Sequence, residues 1–502
     1  MERQALFMKR PHIAIVGGGL GGLAAAITLA NAGMRVSLFE KNSHFGGKLM
    51  PVELGSYRFD FGPNTITMPH IFRQVIEQTG RDPEQYFQLE KLAVHTRNHF
   101  ADGSHIDFSA DRQEMIRQLE TLDPFAAEKY DAFLAEVARL YHSSEKHFFP
   151  LSFQSLRDYL SPSLGAAMLK VRPLESMDHF FSRYFKHAGL RQAVGRYATY
   201  IGSSPYKAPA TFAMIAHLEL AQGVFYAKGG NTSIARGFAE VAAECGVELH
   251  PETAVTRILT ERGKATGVEL TDGEQISADA VILNGDLLSA FPNLVDEAER
   301  PSFRNAKRDR FEPSISAFVI TAGLDIRLPE LKHHNVFFSA DYPREFRELF
   351  TDKQYSGEPT IYISNSSHSD PSVSPLGDNL FILVNAPALT AQGALQIDPE
   401  QYKERIYDVL EHHGINIRAH LKEERIFTPE FIRDKFGSHR GALYGPSSNH
   451  PKDAFLRPSN ASRDIQNLFF VGGSVHPGGG SPMVTLSGLN VAERLIKRYP
   501  PK

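Results

Sequence analysis

Short apolar runs alternate along the chain with segments whose apolar residues recur at helical spacing. The first two apolar runs lie near the start of the chain. His12–Val16 is an apolar, β-branched run that stops at a cluster of glycines, and Arg35–Phe39 is a second such run. Runs of this kind are typical of strands buried on both faces of a parallel sheet. Between them, small and apolar residues continue as far as Asn31-Ala32-Gly33, which predicts a helix that ends at a glycine.

From about residue 70 to 220 the apolar positions recur every three or four residues, which predicts helices. The segments with this period are IFRQVIEQTG, RQEMIRQLETLDPFAAEKYDAFLAEVARLYH and MDHFFSRYFKHAGLRQAVGRYATYIG. The region is also rich in aromatic side chains: Phe148, Phe149, Phe153, Phe180, Phe181, Tyr184, Phe185, Tyr197 and Tyr200. Each of them taken singly is expected in a core. Together they are compatible with a long apolar tunnel, and a patch on the outside could instead dock on a membrane.

The second half of the chain is dominated by strand patterns. VELHPETAVTRILTERGKATGVELTDGEQISADAVILNGD predicts four short strands with tight turns, the last of them returning to the first sheet. Residues 291 to 460 mix the strand-like stretches ISAFVITAGLDI, NVFFSA, TIYISN and NLFILVNAP with the helical QYKERIYDVLEHH. A buried strand from Asp464 to Gly473 and an amphipathic helix that runs to Lys497 close the chain.

Glycine spacing adds chemistry to the first strand and helix. Gly17, Gly19 and Gly22 form G-x-G-x-x-G directly after the strand, and Glu40 follows the second strand eighteen residues after Gly22. The glycines permit a tight turn, a close approach of backbone to a pyrophosphate, and close helix packing, while the acid suits an adenosine ribose. Such an acid disfavours a 2′-phosphate and argues against NADP. Because strand, glycines, helix, second strand and acid occur in order, a nucleotide site is favoured over an ordinary turn.

Three further glycine clusters extend this site. Phe45-Gly46-Gly47-Lys48 follows the ribose acid, KGGN stands at 228–231, and three glycines stand at 478–480 before the last helix. Glycine lets the backbone come close to a phosphate or a flat ring. The pattern therefore favours FAD over a lone nucleotide, and it predicts an α/β protein with a Rossmann-like, discontinuous FAD-binding domain. That domain comprises 1-70, 221-290 and 461-502; 71-220 is a helical substrate or membrane-facing region and 291-460 a mixed α+β substrate region.

Composition excludes several other classes of function. Lysine and arginine total 54 against 58 acids, so nothing in the charge indicates nucleic acid as a partner. One cysteine excludes an internal disulfide. No window reaches the roughly 18 uninterrupted apolar residues of a membrane-spanning helix. We find no metal-ligand spacing and no nucleophile motif, so no metal is predicted and no catalytic acid or base is assigned.

The chain resembles the FAD-dependent carotenoid desaturase (phytoene desaturase) family, whose cofactor fold is shared with amine oxidases and Rab GDP-dissociation inhibitors. The similarity rests on GGGLGG with Glu40, FDFGP, KGGN and NLFFVGGSVHPGGGSPMVTLSG, and YIGSSPYKAPA and SHRGALYG are most similar to the diapocarotenoid terminal oxygenases. The resemblance implies that Gly17, Gly19, Gly22 and Glu40 hold the ADP half of FAD, with Gly47 and Lys48 near its phosphates. It places Val255 by the adenine, where a simple role as a buried strand residue is equally open. It also places the following residues by the ribityl chain and flavin: Gly472, Gly473, Pro477 and Gly480.

The resemblance implies oxidation of the terminal methyl group of an acyclic C30 carotenoid, of the 4,4'-diaponeurosporene type, to an aldehyde. A desaturase of the phytoene or dehydrosqualene type is the alternative. An amine oxidase would need an aromatic cage and an amine anchor, and a non-catalytic isoprenoid carrier would not need intact glycine loops. Because carotenoids dissolve in lipid, we expect a cytoplasmic protein associated peripherally with the inner face of the cell membrane.

Overall fold

The computed structural model describes residues 10–150, 170–393, 395 and 397–500. The predicted aromatic residue Phe153 lies outside these ranges. The strands are β1 (His12–Val16), β2 (Arg35–Phe39), β3 (Pro51–Leu54), β4 (Tyr57–Asp60), β5 (Leu89–Lys91), β6 (Thr96–His99), β7 (His105–Phe108), β8 (Phe225–Ala227), β9 (Glu248–His250), β10 (Val255–Glu261), β11 (Lys264–Leu270), β12 (Gln275–Ser277), β13 (Ala280–Leu283), β14 (Ser316–Leu324), β15 (His334–Phe337), β16 (Ile361–Asn365), β17 (Asn379–Ala386), β18 (Leu421–Phe427) and β19 (Leu468–Phe470). The helices are α1 (Leu20–Asn31), α2 (Pro69–Glu77), α3 (Arg112–Leu122), α4 (Pro124–His147), α5 (Met177–Phe181), α6 (Ala188–Gly195), α7 (Ile215–His217), α8 (Thr232–Glu244), α9 (Leu287–Leu294), α10 (Asn305–Arg308), α11 (Tyr342–Arg347), α12 (Pro399–His412), α13 (Pro429–Phe436), α14 (Pro451–Phe455) and α15 (Ser481–Arg498).

The first sheet is parallel and has the strand order β19-β13-β1-β2-β9. Its strands come from all three segments that the sequence assigns to cofactor binding. Successive side chains of a strand point to opposite faces, so Ile13 and Ile15 pack with α1, α8 and α15. Ala14 faces the other way, toward α9 and the three-stranded sheet β10-β11-β12. Apolar residues on both faces explain why β1 is a continuous hydrophobic run.

The second sheet has seven strands in the order β18-β14-β17-β16-β15-β6-β7. It is antiparallel except where β15 pairs with β6. Alternation again divides its faces: Phe318 and Ile320 of β14 pack in the core that includes α12, while Ala317 and Val319 face a large cavity. One face therefore stabilises the fold, and the other is available as a chamber wall.

The helical prediction for the region 70 to 220 is wrong between residues 89 and 108. Strands β5, β6 and β7 form there, and β6 joins the second sheet through its parallel pairing with β15. The buried positions of β6 are the polar residues Thr96 and Asn98. These residues are buried because the strand pairs within the sheet. Since they are polar, no hydrophobic alternation in the sequence indicates a strand here.

Two smaller expectations also need correction. The structure has five strands after residue 246 where four are predicted, because β9 separates from the β10–β12 meander and joins the parallel sheet beside β2.

The long helical stretch from 112 to 142 is broken at Asp123, whose carboxylate caps α4 by accepting a hydrogen bond from the Ala126 N–H at 3.1 Å. Pro124 occupies the first position of the new helix, as its missing N–H allows.

Candidate functional site

A cavity of about 1040 Å³ lies between the two sheets, at the upper end of the size range of small-molecule sites. The carboxyl ends of β1, β2 and β13 open into it, which is where parallel α/β sheets bind ligands. Ten of the eleven residues predicted to contact the cofactor line this cavity. They are Gly17, Gly19, Glu40, Gly47, Lys48, Val255, Gly472, Gly473, Pro477 and Gly480.

Gly22, the remaining predicted contact, lies in α1 and packs on the glycine turn. A Cβ on Gly22 would lie 2.3 Å from the Gly17 carbonyl oxygen, and one on Gly17 would lie 2.5 Å from the Asn284 carbonyl oxygen. Gly17 also has a φ of +105°, which L side chains rarely adopt. These two glycines are therefore required by the turn itself, and Gly17 and Gly19, the latter at the N-cap of α1, also line the cavity.

Glu40 is buried at the end of β2. Its carboxylate accepts hydrogen bonds from the Gly18 N–H at 2.8 Å, the Asn42 N–H at 2.8 Å and the Asn42 side-chain amide at 2.7 Å. An ionised carboxylate has about four acceptor positions, so capacity remains for a ligand hydroxyl. Val255, at the start of β10, is brought to the same side because the Thr253 N–H donates to the Glu40 carbonyl at 2.8 Å.

The second glycine pair folds onto the first glycine turn. The Gly46 N–H donates to the Gly18 carbonyl at 2.8 Å, and a Cβ on Gly47 would lie 3.2 Å from the Gly19 Cα. Lys48 donates from Nζ to the Leu443 carbonyl. Desolvation lowers the pKa of Lys48, and the Asp286 carboxylate partly offsets that effect. The pair thus forms one wall of the cavity with a cation beside it.

The C-terminal glycine loop forms the opposite wall and is held by a buried arginine that sequence reasoning missed. Arg457 donates from Nη2 to the Gly473 and Tyr444 carbonyls, both at 3.0 Å. Burial lowers its pKa to about 10, so it stays charged at neutral pH. Asn284, which follows β13, was missed as well; its side-chain amide donates to the Gly17 carbonyl at 3.0 Å. Neither residue belongs to a local sequence motif. The role of each depends on the backbone carbonyl to which its side chain donates, and that carbonyl is distant in sequence.

The geometry of these walls fits a dinucleotide cofactor. Helices α1 and α15 both begin at a glycine that lines the cavity, Gly19 and Gly480, and neither has a side-chain cap. The first N–H groups of a helix favour anionic groups. Two such helix starts, three glycine-containing walls and the Glu40 carboxylate match the phosphates, flat ring and ribose hydroxyls of FAD. The fourth predicted glycine cluster, KGGN at 228–231, does not line the cavity; the Asn231 N–H instead donates to the Asp60 carboxylate at 2.7 Å.

The rest of the cavity is mostly apolar and lies between the second sheet and the helical region. The sheet contributes Ala317, Val319, Phe381 and Leu383, and the helical side contributes Phe212, Met214, Ile215 and Leu218. Of the aromatic residues singled out in the sequence, Phe148, Phe149 and Tyr200 line it. The others within the described ranges pack in the helical core: Phe180, Phe181, Tyr184, Phe185 and Tyr197.

Comparison with known proteins agrees with this architecture. A family model for flavin containing amine oxidoreductases matches residues 20–496. The chain belongs to this family. It is an FAD-dependent oxidoreductase, as the glycine motifs predict, and the predicted Rossmann-like fold is confirmed.

Individual relatives and one solved structure make the comparison more specific. The chain is 35% identical over 491 residues to the 4,4'-diaponeurosporene oxygenase of Staphylococcus haemolyticus strain JCSC1435, covering 97% of each protein. It is 35% identical over 491 residues to a 4,4'-diapolycopene oxygenase of a Methylomonas species, covering 97% of this chain and 98% of that protein. The predicted similarity to diapocarotenoid terminal oxygenases is confirmed. A structure of a putrescine oxidase triple mutant has a TM-score of 0.64 at 13% identity, covering 97% of this chain and 99% of that one, which shows a shared fold.

Two further observations concern the chemistry available to this family member. Among residues 10–150 and 170–500 that are described, no group of three or more His, Cys, Asp or Glu side chains is placed to hold a metal ion. None of the helices in the described ranges combines the length and apolar character needed to cross a bilayer.

Proposed function

We propose that this flavoprotein oxidises the terminal methyl group of an acyclic C30 carotenoid, of the 4,4'-diaponeurosporene type, to an aldehyde. The observation that carries the proposal is the continuity of one cavity, in which the glycine walls of the cofactor site open into a chamber with mostly apolar walls. An amine substrate would gain little from that chamber. The names of two relatives that match almost the whole chain support a diapocarotenoid as the substrate class.

The proposed cofactor contacts follow from the cavity walls. The ADP half is assigned to the β1–α1 turn and Glu40, the phosphates to Gly47 and Lys48, and the adenine to Val255. The ribityl chain and flavin are assigned to the C-terminal loop, with Gly472, Gly473, Pro477 and Gly480. This assignment combines the three cofactor-binding segments 1-70, 221-290 and 461-502 in one site.

Conversion of a methyl group to an aldehyde removes four electrons and adds one oxygen atom, so bound FAD would accept electrons in two successive two-electron oxidations, with dioxygen as the terminal electron acceptor and water or dioxygen as the source of the oxygen atom. The contribution of the chain is binding, orientation and exclusion of water. The apolar faces of β14 and β17 and the helical wall around Met214 hold a polyene without offering it competing polar groups. The uncapped start of α15 places its N–H groups and positive dipole end beside the C-terminal loop, where they favour negative charge on the bound ring.

We also propose that the protein works at the inner face of the cell membrane without spanning it, because its substrate dissolves in lipid. Sedimentation of the full chain with lipid vesicles would support binding to a membrane surface, and protease digestion of the protein in inverted but not in right-side-out membrane vesicles would support the inner face.

The activity is tested with the purified holoprotein and 4,4'-diaponeurosporene in lipid vesicles. We expect loss of the substrate and appearance of the terminal aldehyde, measured by liquid chromatography with mass spectrometry. The protein stripped of FAD is the control and should give no product until the cofactor is restored. A product with only additional double bonds and no oxygen would refute terminal oxidation and establish the desaturase alternative.

A further inference from the structure

Arg196 is a buried cation in the wall of the apolar chamber. It follows α6, lines the cavity and is only 7% exposed. One guanidinium nitrogen, Nη2, donates to the Tyr200 hydroxyl at 3.1 Å, and the guanidinium stacks 5.1 Å from the centre of the same ring. Within the described residues, its Nε has no hydrogen-bond partner. A hydrocarbon cannot satisfy that donor.

A buried carboxyl group lies behind Tyr200 and offsets part of the desolvation of this cation. The Tyr200 hydroxyl donates to Oε1 of the fully buried Glu219 at 2.6 Å, and Glu219 belongs to a π-helical turn, Leu218–Gln222. Desolvation acts to lower the pKa of Arg196, but attraction to Tyr200 and Glu219 outweighs it and raises the pKa above its ordinary value. The guanidinium therefore remains ionised, with Tyr200 between it and Glu219.

Other polar groups collect around Arg196. Tyr342, Tyr362 and Tyr444 line the cavity and are near enough to Arg196 for its charge to oppose the upward shift that burial gives each tyrosine pKa. The Tyr342 hydroxyl is buried and, among the described residues, has no hydrogen-bond partner. Arg196 and Tyr342 thus form a polar patch in the chamber wall, in which Nε of Arg196 and the hydroxyl of Tyr342 have no partner among the described residues.

Unused buried donors cost free energy unless a ligand accepts from them. A ligand that suits both parts of the chamber has an apolar body that contacts the mostly apolar walls and an oxygen acceptor at one end that meets the patch. A conjugated aldehyde or carboxylate meets both conditions, and a hydrocarbon meets only the first. A hydrogen bond to a charged donor is also stronger than one between neutral groups.

We propose that Arg196, positioned by Tyr200 and assisted by the Tyr342 hydroxyl, forms a subsite for the carbonyl-bearing end of an oxidised polyene. This subsite rests on the proposed function and extends it, because it makes end-oxidised carotenoids ligands of the chamber. The carbonyl belongs either to the product of the first oxidation or to a substrate already oxidised at its other end. In both cases the oxygen accepts from the guanidinium, and the polyene lies along the sheet.

The test compares binding of the C30 hydrocarbon and its mono-aldehyde to holoprotein in lipid vesicles, measured by quenching of flavin fluorescence. We expect the wild type to bind the aldehyde more tightly than the hydrocarbon. Arg196→Met should weaken aldehyde binding by about 10- to 100-fold, the effect of losing a hydrogen bond to a charged group, and should change hydrocarbon binding by about twofold or less. Arg347→Met, the same change at an exposed position on α11, is the matched control and should change neither.

A spectroscopic readout separates recognition of the carbonyl from a merely structural role. A conjugated carbonyl that accepts from a cation is polarised, so the bound aldehyde should absorb at longer wavelength than the free aldehyde, and Arg196→Met should abolish that shift. If the variant does not fold, Tyr342→Phe and the ligand preference of the wild type provide the same test. Kinetics of Arg196→Met then distinguish the two sources of the carbonyl. A kcat/KM for the mono-aldehyde below that of the wild type indicates that the subsite binds a substrate already oxidised at its other end. Weaker product inhibition with an unchanged kcat/KM indicates that it binds the product of the first oxidation.

Equal weakening of both ligands in Arg196→Met, or equal binding of both ligands by the wild type, would overturn the subsite. Hydrocarbon oxidation would continue in that case, and the proposed function would stand. Absence of both hydrocarbon binding and oxidation in the wild type would instead refute the proposed function.

Discussion

At the scale of single residues, the cofactor cavity depends on glycines for two different reasons. Gly17 and Gly22 are needed because a Cβ on either would collide with backbone inside the turn. Gly47 has a φ of +63°, and the nearest atom to an added Cβ is the Gly19 Cα at 3.2 Å, on the facing glycine turn of the cavity. A methyl group there would occupy space that the cofactor phosphates are proposed to use.

We therefore expect Gly47→Ala to weaken FAD binding by more than about tenfold, because it adds backbone strain of roughly 1 kcal/mol and occupies the space proposed for the phosphates. The measurement is a titration of apoprotein with FAD followed by flavin fluorescence. Gly33→Ala is the matched control, since Gly33 has a φ of +86° and nothing within 4 Å of its added Cβ. Equal FAD affinity in Gly47→Ala and Gly33→Ala would contradict the assignment of Gly47.

A second residue-scale feature is the buried carboxyl of Glu345, on α11 behind the chamber. Its Oε2 accepts from the Thr360 hydroxyl at 2.7 Å, the Thr360 N–H at 3.1 Å and the Ser339 hydroxyl at 3.1 Å. Burial nevertheless raises its pKa to about 7, from an ordinary value of 4.5. A carboxyl with a raised pKa stabilises the fold fully below its unfolded pKa, and that contribution is lost as the pH rises through the folded pKa.

Glu345→Gln should therefore become more stable relative to the wild type as the pH rises from about 4.5 to 7, by about 3 kcal/mol over that window. Denaturant unfolding at several pH values measures the difference. Glu348→Gln should show the opposite trend and become less stable relative to the wild type as the pH rises. Burial acts to raise the pKa of Glu348, but hydrogen bonds from Ser356 and Arg344 lower it overall. A difference between wild type and Glu345→Gln that does not change with pH would refute the raised pKa.

At the scale of elements, the packing of α1 on α15 sets the position of both helix starts. The helices cross at small residues: a Cβ on Gly488 would lie 2.1 Å from the Gly21 carbonyl, and one on Gly21 would lie 2.7 Å from the Val484 carbonyl. Close approach at this crossing brings the N-termini of the two helices to one cavity. Neither glycine belongs to the G-x-G-x-x-G pattern, so the spacing that predicted the nucleotide turn did not predict the crossing.

Alanine usually stabilises a helix relative to glycine, by about 0.5–1 kcal/mol. Gly488→Ala should do the reverse and destabilise the protein by several kcal/mol, because backbone must move to admit the methyl group. Gly195→Ala, whose Cβ meets only ordinary contacts from 3.5 Å, is the control and should be neutral or stabilising. Thermal unfolding of both variants measures the effect; a stable Gly488→Ala protein that retains FAD would argue against a tight crossing.

Regular elements were predictable where the pattern was local. The continuous apolar runs of β1 and β2, the helical period of α4 and the strand-like stretches of β14 and β17 agree with the structure. Strand β6 was not predictable, since its buried residues are polar and its pairing partner β15 is more than 200 residues away. Sheet pairing of this kind overrides local propensity.

At the scale of the whole molecule, distant parts of the chain share one ligand. The parallel sheet combines β1 and β2 with β9, β13 and β19, and the cavity takes walls from each part. A ligand that contacts all of them stabilises only the folded state, because the walls do not meet in the unfolded chain.

Removal of FAD should lower the midpoint of thermal unfolding, and its return at a free concentration of 100 times Kd should restore about 2.7 kcal/mol. ADP, which fills only the end of the site near Glu40, should stabilise the apoprotein less and compete with FAD. Adenosine 2′,5′-bisphosphate is the matched ligand control, and its 2′-phosphate should be repelled by the Glu40 carboxylate. Stabilisation by the bisphosphate equal to that by ADP would place the ribose elsewhere.

The sequence by itself determined the cofactor class and the elements that hold it. Glycine spacing after a strand, a terminal acid and hydrophobic periodicity are local properties, so they can be recognised before the chain is folded. Only the tertiary structure decided which side chains meet in the chamber. Arg196, Arg457 and Asn284 belong to no motif, and each acquires its role from partners brought near by sheet pairing and helix crossing. Burial, which shifts the pKa of each arginine and limits the hydrogen-bond partners of all three side chains, is likewise a property of the assembled fold and not of the local sequence.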